Sequence, residues 1–288
     1  MATGLSIHIG LNAVDPERYN GWDGTLLACE NDARDMAQLA GKANFTVTEP
    51  ILTQDATVEN VTSTLRDAAG RLKKGDILLL SYSGHGGQVD DLNGPDDEPD
   101  RLDETWVLWD RQFVDDELFA LLGTFAAGVR VLALSDSCHS GSVVRAAPEL
   151  LSPRALREQF GTEDPEKIEK RIRVMPLSTQ AEVNKRDAAL YEGIQKETQA
   201  KDSGQIPASI LLLSGCQDNQ TSADGLRNGL FTANLLQTWD EWQKSGTHGG
   251  YRAFHRQILK RMPMNQNPDL FRTGHLDGGF LKQRPFTV

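Results

Sequence analysis

The feature that most constrains the fold is a series of short apolar runs that alternate with stretches of helical periodicity. The run DILLLSYS (76–83) is nearly continuous in apolar residues, as expected for a strand buried on both faces, and VRVLALS (129–135) is a second strand. Further strand-like runs are LSIHIGLNAV, FTVTEPIL, ETWVLWD and ASILLLSG. This alternation predicts an α/β fold, with a mostly parallel central sheet flanked by helices in a three-layer sandwich.

Composition narrows the class of protein. The 288 residues carry a formal net charge of -11, which disfavours nucleic acid or an anionic membrane as a partner and favours cationic ligands. The three cysteines provide no disulfide framework, and the N-terminus lacks the pattern of a signal peptide. We therefore expect a soluble cytoplasmic protein that binds neither nucleic acid nor membrane.

Residues 145–208 interrupt the pattern. This stretch is polar and charged with only broken helical periodicity, and such a long connection inside a compact domain is usually functional or mobile. The sequence otherwise predicts one domain over residues 1–288.

Two chemically reactive side chains follow neighbouring strand-like runs. His85 lies in SYSGHGGQ, and Cys138 lies in SDSCHSGS. Ligands collect at the carboxyl ends of parallel strands, where a histidine beside a cysteine can withdraw its proton and leave a nucleophilic thiolate. The backbone N–H groups of Gly86 and Cys138 are candidate donors to an oxyanion. Taken singly, a buried structural cysteine and an ordinary loop histidine remain the alternatives, whereas the pairing favours catalysis. His139 is a weaker candidate base, because adjacent side chains on a strand point opposite ways.

The motifs SYSGHGGQ and ALSDSCHSGS resemble the metacaspase branch of the caspase-like cysteine peptidases, including its bacterial relatives. LLACENDARDMAQL, DEPDRLDET and ILLLSGCQDNQTSAD match further family segments in the same order. The resemblance implies a caspase-like fold in which residues 1–144 form a large-subunit-like part, 145–208 a charged linker and 209–288 a small-subunit-like part. It also implies peptide-bond hydrolysis, with Cys138 as the nucleophile and His85 as the general acid and base.

The residue two positions before Cys138 bears on which substrate residue the enzyme would accept. Caspases carry Gln at this offset, in a pocket for an acidic substrate residue. Here the position holds Asp136, and a buried carboxylate prefers a cationic partner, so we expect the S1 pocket to accept Arg or Lys. By the same resemblance, Asp32 and Ser83 also line this pocket. The alternative for Asp32 is that it only caps its helix.

The segment VDDLNGPDDEPDRLDET contains eight acidic residues and one arginine, which suggests calcium as a ligand. The family resemblance implies an activating calcium site at Asp100, Asp115 and Asp116. Arg145 stands where calcium-dependent relatives tend to carry an acid, so an ordinary solvated acidic loop is the alternative.

The sequence thus predicts a cysteine endopeptidase that cleaves protein or peptide substrates after Arg or Lys and needs no cofactor for its chemistry. The alternative is a non-catalytic caspase-like signalling or scaffold module. Regulation by calcium, by a partner protein or by self-cleavage is expected, and family resemblance favours a monomer. The linker contains several candidate self-cleavage residues: Lys170, Arg171, Arg173, Lys185 and Arg186. A disordered or partner-binding loop is the alternative for this segment.

Overall fold

A central sheet with helices on both faces forms the body of the protein. The computed structural model describes residues 2–91, 102–137, 162–164, 167–168, 171–202, 206–216, 222–225, 227–263, 266–275 and 277–288, with the backbone alone at 199–202. The predicted α/β sandwich is confirmed. Among the described residues, no helix is long and apolar enough to cross a membrane.

The strands form two sheets. The main sheet has the order β10-β9-β8-β4-β1-β2, with β3 also paired to β1, and only β10 is antiparallel to its neighbour. A small antiparallel sheet has the order β5-β6-β7. The strands are β1 Gly4–Gly10, β2 Thr46–Val47, β3 Ile51–Leu52, β4 Ile77–Ser83, β5 Gly86–Asp90, β6 Leu102–Val107, β7 Gln112–Val114, β8 Arg130–Asp136, β9 Ser209–Ser214 and β10 Asp269–Gly274.

The helices cover the two faces of the main sheet and part of the small one. Thr57 caps the second helix, with its hydroxyl accepting a hydrogen bond from the N–H of Asn60. The helices are α1 Cys29–Lys42, α2 Val58–Arg71, α3 Asp115–Leu122, α4 Leu177–Arg186, α5 Ala188–Asp202, α6 Leu230–Ser245, α7 Tyr251–Leu259 and α8 Gly278–Lys282.

The first half of β4, Ile77–Leu80, is continuously apolar because its side chains enter two separate cores. Leu78 and Leu80 pack with residues of α2 and α3 on one face of the sheet. Ile77 and Leu79 pack with residues of α1, α6 and α7 on the other face. Alternation of side chains along a strand therefore explains why these four positions are all apolar.

The structure differs from the sequence prediction in three places. The single strand predicted at 45–52 is two short strands, since Pro50 between them lacks the N–H that a continuous ladder needs. Strands β5, β7 and β10 correspond to none of the strand-like runs found in the sequence. The weakly patterned linker contains helices α4 and α5, which pack on the small sheet through hydrogen bonds from Asn184 and Gln195 to backbone oxygens of β5.

We expect Leu79→Ala to destabilise the protein by about 2–5 kcal/mol, because Leu79 is fully buried and its truncation leaves a cavity. The matched control is Leu190→Ala, since Leu190 is exposed, and its effect should stay within about 0.5 kcal/mol. Urea unfolding of both variants measures the difference. Equal destabilisation by the two substitutions would contradict the description of this core.

Candidate active site

His85 lies in the tight connection between β4 and β5. Its ring is buried and contacts the edge of Trp22, with 4.7 Å between ring centroids. Nε2 lies 3.0 Å from the carbonyl oxygen of Gly24. A carbonyl only accepts hydrogen bonds, so we assign the proton of the neutral ring to Nε2. Nδ1 is then the basic nitrogen, and among the described residues it has no hydrogen-bond partner.

Burial lowers the pKa of His85 to about 4, and this effect outweighs the carbonyl of Gly24, which acts in the opposite direction. The ring is therefore neutral at pH 7. A neutral, buried imidazole whose Nδ1 carries a lone pair has the protonation state of a general base.

The other half of the predicted dyad, Cys138, lies outside the described residues, as do Asp100 and Arg145. The strand that precedes it is described. β8 runs parallel to β4, and Asp136 pairs with Ser83, so the two strands end side by side. The prediction that these two strand ends share one edge of the sheet is therefore confirmed as far as Asp136.

The three predicted pocket residues come together at this edge. Asp32, Ser83 and Asp136 are all buried, and the hydroxyl of Ser83 donates to Asp32 Oδ2 at 2.7 Å. The first turn of α6 supplies further donors. The N–H of Gly229 donates to Asp32, and the N–H and hydroxyl of Thr232 donate to Asp136 Oδ2 at 3.0 and 2.7 Å. The positive end of this helix thus stabilises the two carboxylates.

A side chain of the linker fills the pocket. Arg173 is fully buried, and its Nη2 donates to Asp32 at 2.8 Å and to Asp224 at 2.9 Å. Its Nη1 donates to Ser83 Oγ at 2.8 Å and to the backbone oxygen of Asp136 at 3.0 Å, and lies 3.1 Å from the Asp136 carboxylate. One guanidinium therefore contacts three carboxylates in the protein interior.

Three carboxylates around one guanidinium leave an excess of negative charge. Burial raises the pKa of Asp32 to about 6, with Asp136 acting in the same direction and Arg173 opposing both. The pocket is also closely fitted around its cation. A Cβ atom on Gly229 would lie 2.5 Å from both terminal nitrogens of Arg173, so only glycine fits at this position.

Asp224 is the pocket residue that sequence reasoning missed. It is fully buried, and besides Arg173 it accepts hydrogen bonds from the N–H groups of Leu27 and Ala28, just before α1. Its position at the end of ILLLSGCQDNQTSAD was the available signal, because that segment is one of the family matches. Arg173 was identified only as one of several linker cations.

The backbone on the N-terminal side of Arg173 forms an antiparallel pair with the segment after β9. The N–H of Arg173 donates to the carbonyl of Ser222 at 3.1 Å, and the N–H of Asp224 donates to the carbonyl of Arg171 at 2.7 Å. Ile172 and Ala223 are the paired residues. The linker is thus extended as it enters the site.

The backbone on the C-terminal side pairs with the start of β5. The predicted oxyanion donor, the N–H of Gly86, donates to the carbonyl of Arg173 at 3.0 Å. The carbonyl of Gly86 accepts from the N–H of Met175 at 2.8 Å, which makes a parallel bridge between Gly86 and Val174. A segment held in this way, with one side chain in a pocket, has the arrangement of a peptide added to a sheet edge.

Two of the three acidic residues predicted to bind calcium lie in described structure. Asp115 and Asp116 begin α3, and the hydroxyl of Thr198 donates to Asp116. Burial and the charges of Asp103, Glu104 and Asp116 raise the pKa of Asp115 well above its usual value. In the described part of the chain, no group of three or more His, Cys, Asp or Glu residues is arranged to hold a metal ion.

Comparisons with known proteins agree with this architecture. A solved structure of protein GSU0716 from Geobacter sulfurreducens has 48% sequence identity and a TM-score of 0.82, with 99% of each chain covered. Caspase-1 from Spodoptera frugiperda has 11% identity and a TM-score of 0.51 over 95% of this chain and 86% of its own, which supports the fold alone.

The sequence comparisons identify the family. Metacaspase-1 from Schizosaccharomyces pombe is 30% identical over 81% of this chain, which spans only 58% of that relative. The family model of the caspase domain, Peptidase_C14, matches residues 13–285, a range that includes the linker and the pocket acids. The chain therefore belongs to the caspase-domain family, in its metacaspase-like branch.

Proposed function

We propose that the protein is a cysteine endopeptidase that cleaves after arginine, and less well after lysine, with Cys138 as nucleophile and His85 as general acid and base. The observation that carries this proposal is Arg173, whose side chain lies among three buried carboxylates while its carbonyl accepts a hydrogen bond from Gly86. A substrate arginine would make the same contacts.

The proposed mechanism assigns each group one task. His85 Nδ1 takes the proton of the Cys138 thiol, and the thiolate adds to the carbonyl carbon of the substrate arginine. The N–H of Gly86 stabilises the negative charge that develops on the carbonyl oxygen. The C–N bond then breaks, and the imidazolium gives its proton to the leaving amine. Water, deprotonated by His85, hydrolyses the thioester and regenerates the thiol.

The pocket geometry favours arginine over lysine. Nη1 and Nη2 of Arg173 contact different acceptors, Asp136 and Ser83 on one side and Asp32 and Asp224 on the other. A planar guanidinium can contact both sets of acceptors at once, whereas the ammonium of lysine is a single point charge at the end of a flexible side chain. Lysine is therefore expected to lose at least one charge-assisted hydrogen bond.

We expect kcat/KM to be highest for fluorogenic peptides ending in Arg, lower on the order of tenfold for Lys, and absent for Asp. Cys138→Ala and His85→Ala should abolish hydrolysis, and Leu190→Ala, at an exposed position, is the control. Asp136→Asn should lower kcat/KM for the Arg peptide about 10- to 100-fold, by loss of a charge-assisted contact. Cleavage after Asp would contradict the pocket assignment, and a chain inactive on every peptide and toward itself would favour a non-catalytic module.

The charge of the pocket predicts a pH-dependent stability. On a Cys138→Ala background, Arg173→Met leaves three buried carboxylates without their cation and should destabilise the protein by about 3–5 kcal/mol near neutral pH. A carboxyl whose pKa is higher in the folded than in the unfolded state does not destabilise the fold below its unfolded pKa. The destabilisation grows as the pH rises and is complete above the folded pKa. Loss of Arg173 should raise the pKa of Asp32 beyond its present value of about 6.

The deficit of Arg173→Met should therefore be larger at about pH 8 than at about pH 5, as measured by thermal unfolding. Arg34→Met is the control, because Arg34 pairs with Glu30 on the surface and its loss should change stability little at either pH. A deficit that does not depend on pH would mean that Arg173 contributes packing rather than charge balance.

Calcium is a second element of the proposal, as an activator with no part in the chemistry. Asp115 and Asp116 offer the oxygen ligands that calcium prefers, and the crowded negative charge around Asp115 suits a divalent cation. Asp100 would have to complete the set of ligands.

We expect calcium to raise the unfolding temperature of the wild type and to raise it less in Asp115→Asn. Asp67→Asn, an exposed acid on α2, is the control. An unchanged unfolding temperature in the wild type would argue for a solvated acidic loop.

A further inference from the structure

The tryptophan beside the candidate base has no step in the proposed mechanism. Trp22 belongs to the loop 11–28, which joins β1 to α1, and its side chain is half-buried. Its ring meets the ring of His85 edge-on, with 4.7 Å between the centroids and 61° between the planes. Aromatic rings at such distances prefer edge-to-face or offset arrangements to a face-to-face stack. The contact therefore favours one orientation of the imidazole over others.

A buried neighbour and the backbone fix the position of this tryptophan. Tyr19 is fully buried, and its hydroxyl donates to the carbonyl of Leu108 at 2.7 Å. The rings of Tyr19 and Trp22 are in edge contact at 6.0 Å, and the N–H of Trp22 donates to the carbonyl of Tyr19 at 3.0 Å. The N–H of Val14 donates to the carbonyl of Asp23 at 2.9 Å, which draws the two sides of the loop together. Trp22 is thus held on a fixed support rather than on a free loop.

Gly24 brings the same loop within hydrogen-bond distance of the imidazole. Its carbonyl lies 3.0 Å from Nε2 of His85. Its φ of +56° is one that glycine adopts without the strain other residues incur. A Cβ atom at this position would lie 3.2 Å from the ring of Trp22 and 3.4 Å from Cδ2 of His85, so a side chain would crowd both rings. The loop therefore holds the histidine by an aromatic contact and a hydrogen bond together.

The charged groups near the imidazole oppose one another. Asp224 acts to raise the pKa of His85, and Arg173 acts to lower it. Asp23, in the loop itself, accepts a hydrogen bond on its carboxylate from a backbone N–H of the loop at 3.1 Å. Burial is the largest effect on the pKa and holds it at about 4. Because Trp22 covers part of the ring, its removal should admit water and weaken this dominant effect.

We propose that Trp22 is a positioning residue for the peptidase reaction, which keeps Nε2 of His85 directed at Gly24, leaves Nδ1 for the thiol of Cys138, and keeps water from the imidazole. The inference rests on the proposed peptidase function. No bond to Trp22 forms or breaks. Its indole acts only through His85, which takes the proton from the thiol and later delivers it to the leaving amine.

Trp22→Ala should lower kcat about 10- to 100-fold, because a base that is held loosely is more often out of line with the thiol. KM should change little, since the acids of the S1 pocket keep their contacts. Trp22→Phe keeps an aromatic ring and should retain more of the activity. Trp109→Ala is the matched control. Trp109 is a second half-buried tryptophan, but it packs on the core beside α2 and α3, so its loss should cost stability and leave kcat nearly unchanged.

A second measurement follows the histidine itself. NMR of the ring nitrogens in the full-length Cys138→Ala chain reports the pKa of His85 and which nitrogen carries the proton, without a thiol that titrates together with the imidazole. His85→Asn identifies the signals. We expect Trp22→Ala to raise the pKa from about 4 toward the ordinary value of 6.5 and to place part of the proton of the neutral ring on Nδ1. Trp22→Phe should change both less, and Trp109→Ala should change neither. Circular dichroism identifies any variant that fails to fold.

The outcomes separate the two proposals. In a folded Trp22→Ala chain, an unchanged pKa and proton position would overturn this inference, and so would a loss of kcat no larger than that of Trp109→Ala. Either result leaves the peptidase proposal intact when the wild type hydrolyses the Arg peptide. A wild type that is inert on every peptide and toward itself would overturn the peptidase and, with it, any catalytic role for Trp22.

Discussion

The ion cluster around Arg173 is the interaction on which the candidate site depends. It joins helix α1 through Asp32, strand β8 through Asp136, and the segment after β9 through Asp224. Moving this many charges out of water is costly, and the cost is offset only when almost every polar atom finds a partner. The carboxylate of Asp136 receives further hydrogen bonds from Ser222 and Thr232, so its position does not depend on Arg173 alone.

The parallel sheet places this cluster where it is. Strands β4 and β8 are parallel neighbours, and Ser83 is paired with Asp136. The residues at the two strand ends therefore lie next to each other. Helix α6 completes the arrangement by directing the N–H groups of its first turn at the carboxylates. Its N-cap is Gly229, and the lack of a side chain there lets the helix approach the guanidinium closely. The fold therefore supplies both the acids and the dipole that partly balances them.

The sequence predicted those parts of the molecule whose signal is local. The strand at 76–83 could be recognised from its apolar run, because cores lie on both faces of the sheet there. The residues His85, Asp32, Ser83 and Asp136 could be recognised because they lie in family motifs. Asp224 was missed because its role depends on a contact 51 residues away with Arg173. The linker helices were weakly signalled because their polar faces meet polar groups of the small sheet. Nothing local in the linker distinguishes Arg173 from its neighbouring cations, since the distinction lies in the pocket it enters.

A tethered arginine gives the pocket two properties at once. It satisfies the buried carboxylates, so this folded chain does not hold them without a cation. Under the proposed function it would also compete with a substrate arginine at a high effective concentration. For a short tether this concentration is on the order of millimolar or more, far above that of a dilute protein substrate. Tighter intrinsic binding of the substrate side chain would not by itself overcome the competition, because Arg173 makes the same contacts. An external arginine could enter the pocket only after Arg173 is released from its backbone pairing with Gly86 and Ser222.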